Sequence, residues 1–101
     1  MKKNTVLYFY APWCGYCDKF RKQEMPKLKN FGLSYSNGND EVSTNLEFYD
    51  VDKNKDIYDK WKKNDRGIPL FIFLDPDGKE YLRKVGYISA NDIFSFLKSE
   101  K

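Results

Sequence analysis

The chain has 101 residues, enough for one hydrophobic core and no more, so a single domain over 1–101 is expected. Apolar residues make up 41% and aromatics 18%, which excludes a disordered chain and predicts a core rich in Phe, Tyr and Trp. The 18 basic and 15 acidic side chains nearly cancel, leaving a net charge of +3 that supports solubility and does not point to nucleic acid.

Met1 to Thr5 places two lysines ahead of an apolar stretch, as a secretion signal does. The stretch is too short, lacks a small-residue cleavage site and runs directly into a cysteine motif. Val6 to Tyr10 is instead read as a strand, its continuous β-branched and aromatic character suiting one covered on both faces. No segment approaches transmembrane length, so no membrane insertion is expected. Taken as it stands the chain reads as cytoplasmic, although an exported protein stripped of its signal would look the same.

Trp13-Cys14-Gly15-Tyr16-Cys17 follows and holds the only two cysteines. A helix starting near Gly15 sets Cys14 at its N-terminus, where unpaired N–H groups and the macrodipole favour a thiolate. Cys17 then lies one turn along, within bridging distance. Cys14 is the candidate nucleophile and Cys17 the candidate resolving thiol. A structural disulfide closing so short a loop would constrain the unfolded chain very little. Structural zinc needs four Cys or His ligands, and with two Cys and no His the chain offers half a site, completed only across a dimer.

The helix should run from about Gly15 to Asn30, with Tyr16, Phe20, Leu28 and Phe31 near one face and a kink or break near Met25 imposed by Pro26. Its basic residues Lys19, Arg21, Lys22, Lys27 and Lys29 are read as a solvated face in preference to a phosphate-binding patch. Gly32 to Asn45 is poor in apolar residues and rich in turn formers, so a long loop is expected. A second strand covers Leu46, Phe48 and Tyr49 to Val51, and Asp52-Lys53-Asn54 starts a helix whose stripe is Ile57, Tyr58 and Trp61.

Arg66-Gly67-Ile68-Pro69 breaks that helix. Leu70 to Leu74 is the most hydrophobic strand, and Asp75-Pro76-Asp77-Gly78 predicts a tight turn into an antiparallel partner, Glu80 to Val85. Gly86 ends it, and Ser89 with Asp92 forms a capping-box-like start to a last helix carrying Ile93, Phe94 and Leu97. The order is β-α-β-α-β-β-α, an α/β fold with a four-stranded mixed sheet flanked by helices; the first two strands should be parallel and the last two a hairpin.

These residues resemble the thioredoxin superfamily. Phe9-Tyr10-Ala11-Pro12-Trp13-Cys14-Gly15-Tyr16-Cys17 is similar to the active-site segment of protein disulfide isomerase domains, Arg66-Gly67-Ile68-Pro69 to the segment carrying a cis-proline, and Lys84-Val85-Gly86 to the end of the fold. The resemblance implies that Pro69 is cis and close to both sulfurs, and that the Ile68 backbone pairs with an extended substrate. It further implies that Trp13 shields the dithiol and that Trp13, Gly15, Tyr16, Ile68, Pro69 and Gly86 form the substrate-docking face.

Three departures stand out. Only a dozen residues precede Trp13, so a fold without the N-terminal strand and helix of thioredoxins, nearer the glutaredoxin minimum, is expected. Tyr8 stands where the family keeps a buried acid six residues before the first cysteine, and Phe48 stands in place of the accompanying lysine. The segment 32–45 is longer than its counterpart.

The resemblance implies a thiol-disulfide oxidoreductase that reduces or exchanges protein disulfides, with no cofactor or metal and with electrons restored by a thiol reductase or glutathione. A monomer is expected. Gly15-Tyr16 between the cysteines brings no positive charge to stabilise the Cys14 thiolate, which favours a reductant. Two other readings stay open: an accessory binding module that uses the same face with 32–45 as its interaction element, and a glutaredoxin-like dimeric metal or iron-sulfur scaffold.

Overall fold

A computed structural model describes residues 4–40, 42–65 and 67–98. Residues 1–3 of the N-terminal reading, Glu41 and Arg66 lie outside the described residues. Five strands form one mixed sheet in the order β2 (Tyr35–Asn37), β3 (Leu46–Asp50), β1 (Thr5–Tyr10), β4 (Leu70–Leu74), β5 (Glu80–Val85). The central strand β1 runs parallel to β3 and antiparallel to β4, and β4 returns through β5 as a hairpin. Both β1 and β4 have four consecutive buried residues, Val6 to Phe9 and Leu70 to Phe73, as strands covered on both faces must.

Side chains alternate across a strand, which sorts these residues into two layers of core. Val6, Tyr8, Leu46, Phe71 and Phe73 pack against Phe20, Met25 and Leu28 of the first helical segment and against Ile93 and Leu97 of α4 (Ala90–Lys98). Tyr8 anchors this layer, its ring centroid 4.6 Å from that of Phe20 and 5.0 Å from that of Phe71. Leu7, Phe9, Leu70 and Ile72 face the opposite way, where Ile57, Tyr58 and Trp61 of α3 (Lys55–Lys62) cover them. Each such side chain taken from water stabilises the fold by about 1.5–3 kcal/mol before entropy is counted. The reciprocal bonds Asp92 N–H to Ser89 Oγ and Ser89 N–H to Asp92 Oδ2 form the expected capping box on α4.

The first helical segment departs from regularity around Pro26. It runs as α1 (Gly15–Lys19), a π-helical turn Phe20–Glu24, α2 (Met25–Leu28) and a 3-10 turn Lys29–Phe31, and it is closed by Gly32 at a φ of 76°. Proline has no N–H and its ring collides with the carbonyl four residues back in a regular helix. The widened turn, in which the Met25 N–H reaches the Phe20 carbonyl, absorbs that conflict. Tyr16 does not share the buried stripe: it is 66% exposed, while Phe20 and Leu28 are buried and Phe31 half-buried. In the first turn the inward position belongs to Cys17, and one residue is about 100° of rotation.

The sheet has five strands where four were expected. β2 (Tyr35–Asn37) lies inside the segment read as loop and pairs parallel with β3, Tyr35 opposite Leu46. Three residues, two of them polar, carry no period-two signal. The ladder is completed by Leu46 N–H to the Ser34 carbonyl and Gly38 N–H to the Phe48 carbonyl. At Gly38 the fit is close, since a Cβ there would fall 2.1 Å from Cζ of Tyr49.

Candidate active site

The chain leaves the sheet at the end of β1 through Ala11-Pro12-Trp13, and Cys14 takes an extended conformation as the N-cap of α1. The Cys17 N–H points at Cys14 Sγ at 3.2 Å, a donor placed where it favours negative charge on that sulfur. Cys14 and Cys17 are joined as a disulfide, their Cα atoms 5.2 Å apart. Cys14 retains 9% of its exposure and Cys17 none, so an incoming group meets Cys14 first.

Opposite the pair stands the segment before β4. The Ile68–Pro69 peptide is cis, and the Ile68 carbonyl oxygen lies 3.9 Å from Cys14 Sγ. The β4–β5 ladder begins with the Leu70–Val85 pair, so Ile68 sits just outside it, its carbonyl facing Cys14 Sγ and its N–H with no partner among the described residues. Gly86, at a φ of 105°, donates its N–H to the Pro69 carbonyl at 2.8 Å and closes the next wall. Trp13 and Tyr16 are 70% and 66% exposed, and Val85 is exposed beside Gly86. Cys14, Cys17, Ile68, Pro69 and Gly86 are thus gathered at one end of the sheet, with Trp13, Gly15 and Tyr16 on the loop and helix turn that carry the dithiol.

Trp13 is not part of the core. Its indole N–H donates to Asp52 Oδ2 at 3.0 Å, which ties the ring to the turn ahead of α3. Asp52 was legible only as a helix-start residue; nothing in its local pattern marks it as the partner of a residue 39 positions away. The Asn39 side chain in turn donates to Asn54 Oδ1 at 2.8 Å, tying the β2–β3 connection to the start of α3.

Tyr8 is buried, and its hydroxyl donates to the Cys17 carbonyl at 3.1 Å. Burial pushes its phenol far above the ordinary range, the nearby Arg21 charge offsetting this only in part, so it stays protonated in neutral water. Phe48 lies directly across from it on β3. A buried carboxylate is present on the helical segment that carries the dithiol, at Glu24, with no local pattern to mark it. Glu24 accepts from the Tyr87 hydroxyl and from the Ala90 N–H at 2.9 Å, bracing the dithiol's helix against the start of α4 and the residue after Gly86. Burial pushes this carboxyl up, but the two hydrogen bonds and the Lys27 and Lys19 charges outweigh it and hold it below the ordinary range. Burial, and then the bond to Glu24, push Tyr87 up to about 12.

Among the described residues no three Cys, Asp or Glu side chains converge as a metal site, and no helix is long and apolar enough to cross a membrane.

Comparison with known proteins gives this geometry a family. A protein disulfide-isomerase of Schizosaccharomyces pombe is 33% identical over 102 residues, covering 99% of this chain and 25% of its own length. One from Ricinus communis is 34% identical over 99 residues, covering 98% of this chain and 18% of its own. The chain therefore spans a quarter or less of these curated relatives. Among solved structures, thioredoxin-2 of a malaria parasite, described as a component of protein secretion machinery, superposes with a TM-score of 0.73 at 26% identity, over 98% of this chain and 84% of that one. The family model for the thioredoxin-like domain matches residues 1–101, and the chain belongs to that family.

Proposed function

We propose that the protein is a thiol-disulfide oxidoreductase that reduces or exchanges disulfides in other proteins, with Cys14 as nucleophile and Cys17 as resolving thiol. The observation that carries this reading is the pairing of Cys14, the more exposed of the two cysteines and hydrogen-bonded by the Cys17 N–H, with the Ile68 backbone outside the ladder, its carbonyl 3.9 Å away. An extended segment pairing with Ile68 brings its own sulfur against Cys14. Trp13, Gly15, Tyr16, Pro69 and Gly86 line its path.

In the reduced protein the Cys14 thiolate attacks one sulfur of the substrate disulfide. A Cys14–substrate bond forms, the substrate bond breaks, and the other substrate sulfur leaves as thiolate and takes a proton from water. Cys17, its proton passed to water, then attacks Cys14 Sγ and displaces the second substrate sulfur. Two electrons have moved to the substrate and the protein is left as the Cys14–Cys17 disulfide. A thiol reductase or glutathione restores the dithiol. No cofactor enters, and the chain acts as a monomer.

Trapping tests the assignment. Cys17→Ser mixed with a disulfide-bonded model protein such as insulin is expected to accumulate a covalent adduct through Cys14, seen as added mass without reductant and lost with dithiothreitol. Cys14→Ser is expected to give none. Absence of any adduct with Cys17→Ser would overturn the proposal.

A further inference from the structure

The helical segment that carries the dithiol is basic on its exposed side. Between Gly15 and Gln23 it holds Lys19, Arg21 and Lys22 against Asp18 alone. Arg21 and Lys22 both pair with that carboxylate, at 3.0 and 3.1 Å. Lys19 pairs with no carboxylate among the described residues; its Nζ stands 5.0 Å from the centroid of the Tyr87 ring. Tyr87 follows Gly86, so the ammonium is held between the dithiol's helix and the wall of the substrate groove. With Gly15 and Tyr16, Lys19 lines a shallow open pocket of about 350 Å³ beginning one residue from Cys14.

Lys19 acts on the buried Glu24 carboxylate only through its charge and forms no ion pair with it, so the exposed ammonium keeps its donors for a further partner. Glu24, the other group at Tyr87, is buried and engaged by the Tyr87 hydroxyl, the Ala90 N–H and, at 3.9 Å, Lys27 Nζ. The carboxylate at the Trp13 side of the site is Asp52, which accepts from the indole. A negative side chain is therefore attracted on the Tyr16 side of Cys14, while on the Trp13 side Asp52 is flanked by Lys53 and Lys55 and the charges offset.

We propose that Lys19 makes this site select disulfides whose cysteine is flanked by an acidic side chain, which seats in the pocket of Gly15, Tyr16 and Lys19. This rests on the oxidoreductase reading and names its substrate class. An extended strand rises about 3.3 Å per residue, so a side chain one or two residues from the cysteine bonded to Cys14 comes over that pocket. The cation–π contact with Tyr87 already restrains the lysine, which lowers the entropy cost of pairing.

Three peptides decide it, each with one disulfide and differing only in carrying Glu, Ala or Lys beside one cysteine. Single-turnover reduction by the prereduced protein is followed through Trp13 fluorescence. The Glu peptide is expected to react about fivefold faster than the Lys peptide at low salt, the scale of an exposed ion pair, with the ratio falling towards one at high salt. Lys19→Arg should keep the preference, Lys19→Ala should abolish it and Lys19→Glu should invert it. Equal Glu and Lys rates in the unaltered protein, or a preference that survives Lys19→Ala, would overturn the charge selection while leaving the oxidoreductase reading intact. Failure to reduce any of the three would overturn both.

Discussion

Glu24 carries two duties that a surface carboxylate would not. It is 6% exposed, and it satisfies both the Tyr87 hydroxyl and an N–H in the first turn of α4. Glu24→Ala leaves both donors unpaired, and a loss of about 2 kcal/mol is expected, roughly 10 °C in melting temperature. The pH dependence has a fixed sign. The folded carboxyl lies below its unfolded value of about 4.5, so its stabilisation is complete above that pH and is lost as pH falls through the folded value. The gap in melting temperature between the parent protein and Glu24→Gln should therefore narrow below pH 4.5, and a gap that widens on acidification would contradict the assignment. Tyr8, whose phenol is pushed far up by burial, adds no titration near neutrality, so it substitutes for the buried acid of the family in position and not in chemistry.

At the scale of elements, the link between α3 and the cis-proline segment is built around Arg83 on β5. All five of its N–H donors are used: two meet Glu80 at 2.6 and 2.7 Å, one meets Asp65 at 2.7 Å, and two reach the Trp61 and Lys62 carbonyls at the end of α3. The bond from Arg83 is the main reason the Glu80 carboxyl lies low. Lysine has the charge without the planar fork, so Arg83→Lys should cost about 2 kcal/mol in urea unfolding, nearly as much as Arg83→Leu. Full rescue by lysine would show that charge alone matters. The elements themselves were legible where patterns are strong: the apolar runs of β1 and β4, the Asp75–Gly78 turn and the Ser89–Asp92 cap all stand where periodicity and turn chemistry put them. β2 was not, because three residues at a sheet edge are specified by their partner strand and not by their own alternation.

Across the whole molecule, the sheet gathers into one place residues far apart in sequence. The β1–α1 corner supplies Trp13, Cys14 and Cys17, the start of β4 supplies Ile68 and Pro69, and the end of β5 supplies Gly86. The Cys14/Cys17 pair itself was legible from spacing, whereas the approach of Ile68, Pro69 and Gly86 to it was implied only by the resemblance to the thioredoxin superfamily. The supports behind the site were legible in neither way: Asp52 under Trp13, Glu24 under Tyr87 and Lys19 over the Tyr87 ring arise from tertiary packing, and none has a local sequence signature. The π-helical turn before Pro26 belongs with them, since the proline announces a break but not how the chain accommodates it. The same architecture places Trp13 next to the dithiol with its ring anchored, which makes it a natural reporter of the redox state.

The most direct test is an equilibrium redox titration of the Cys14/Cys17 pair, followed by Trp13 fluorescence in glutathione or dithiothreitol buffers. One reversible two-electron transition is expected, absent from Cys14→Ser. Its midpoint, with each 30 mV or so shifting the equilibrium tenfold, fixes the direction in which the protein works against a given partner. A pair showing no reversible two-electron transition, with the fold intact, would contradict thiol-disulfide exchange as the function of this site.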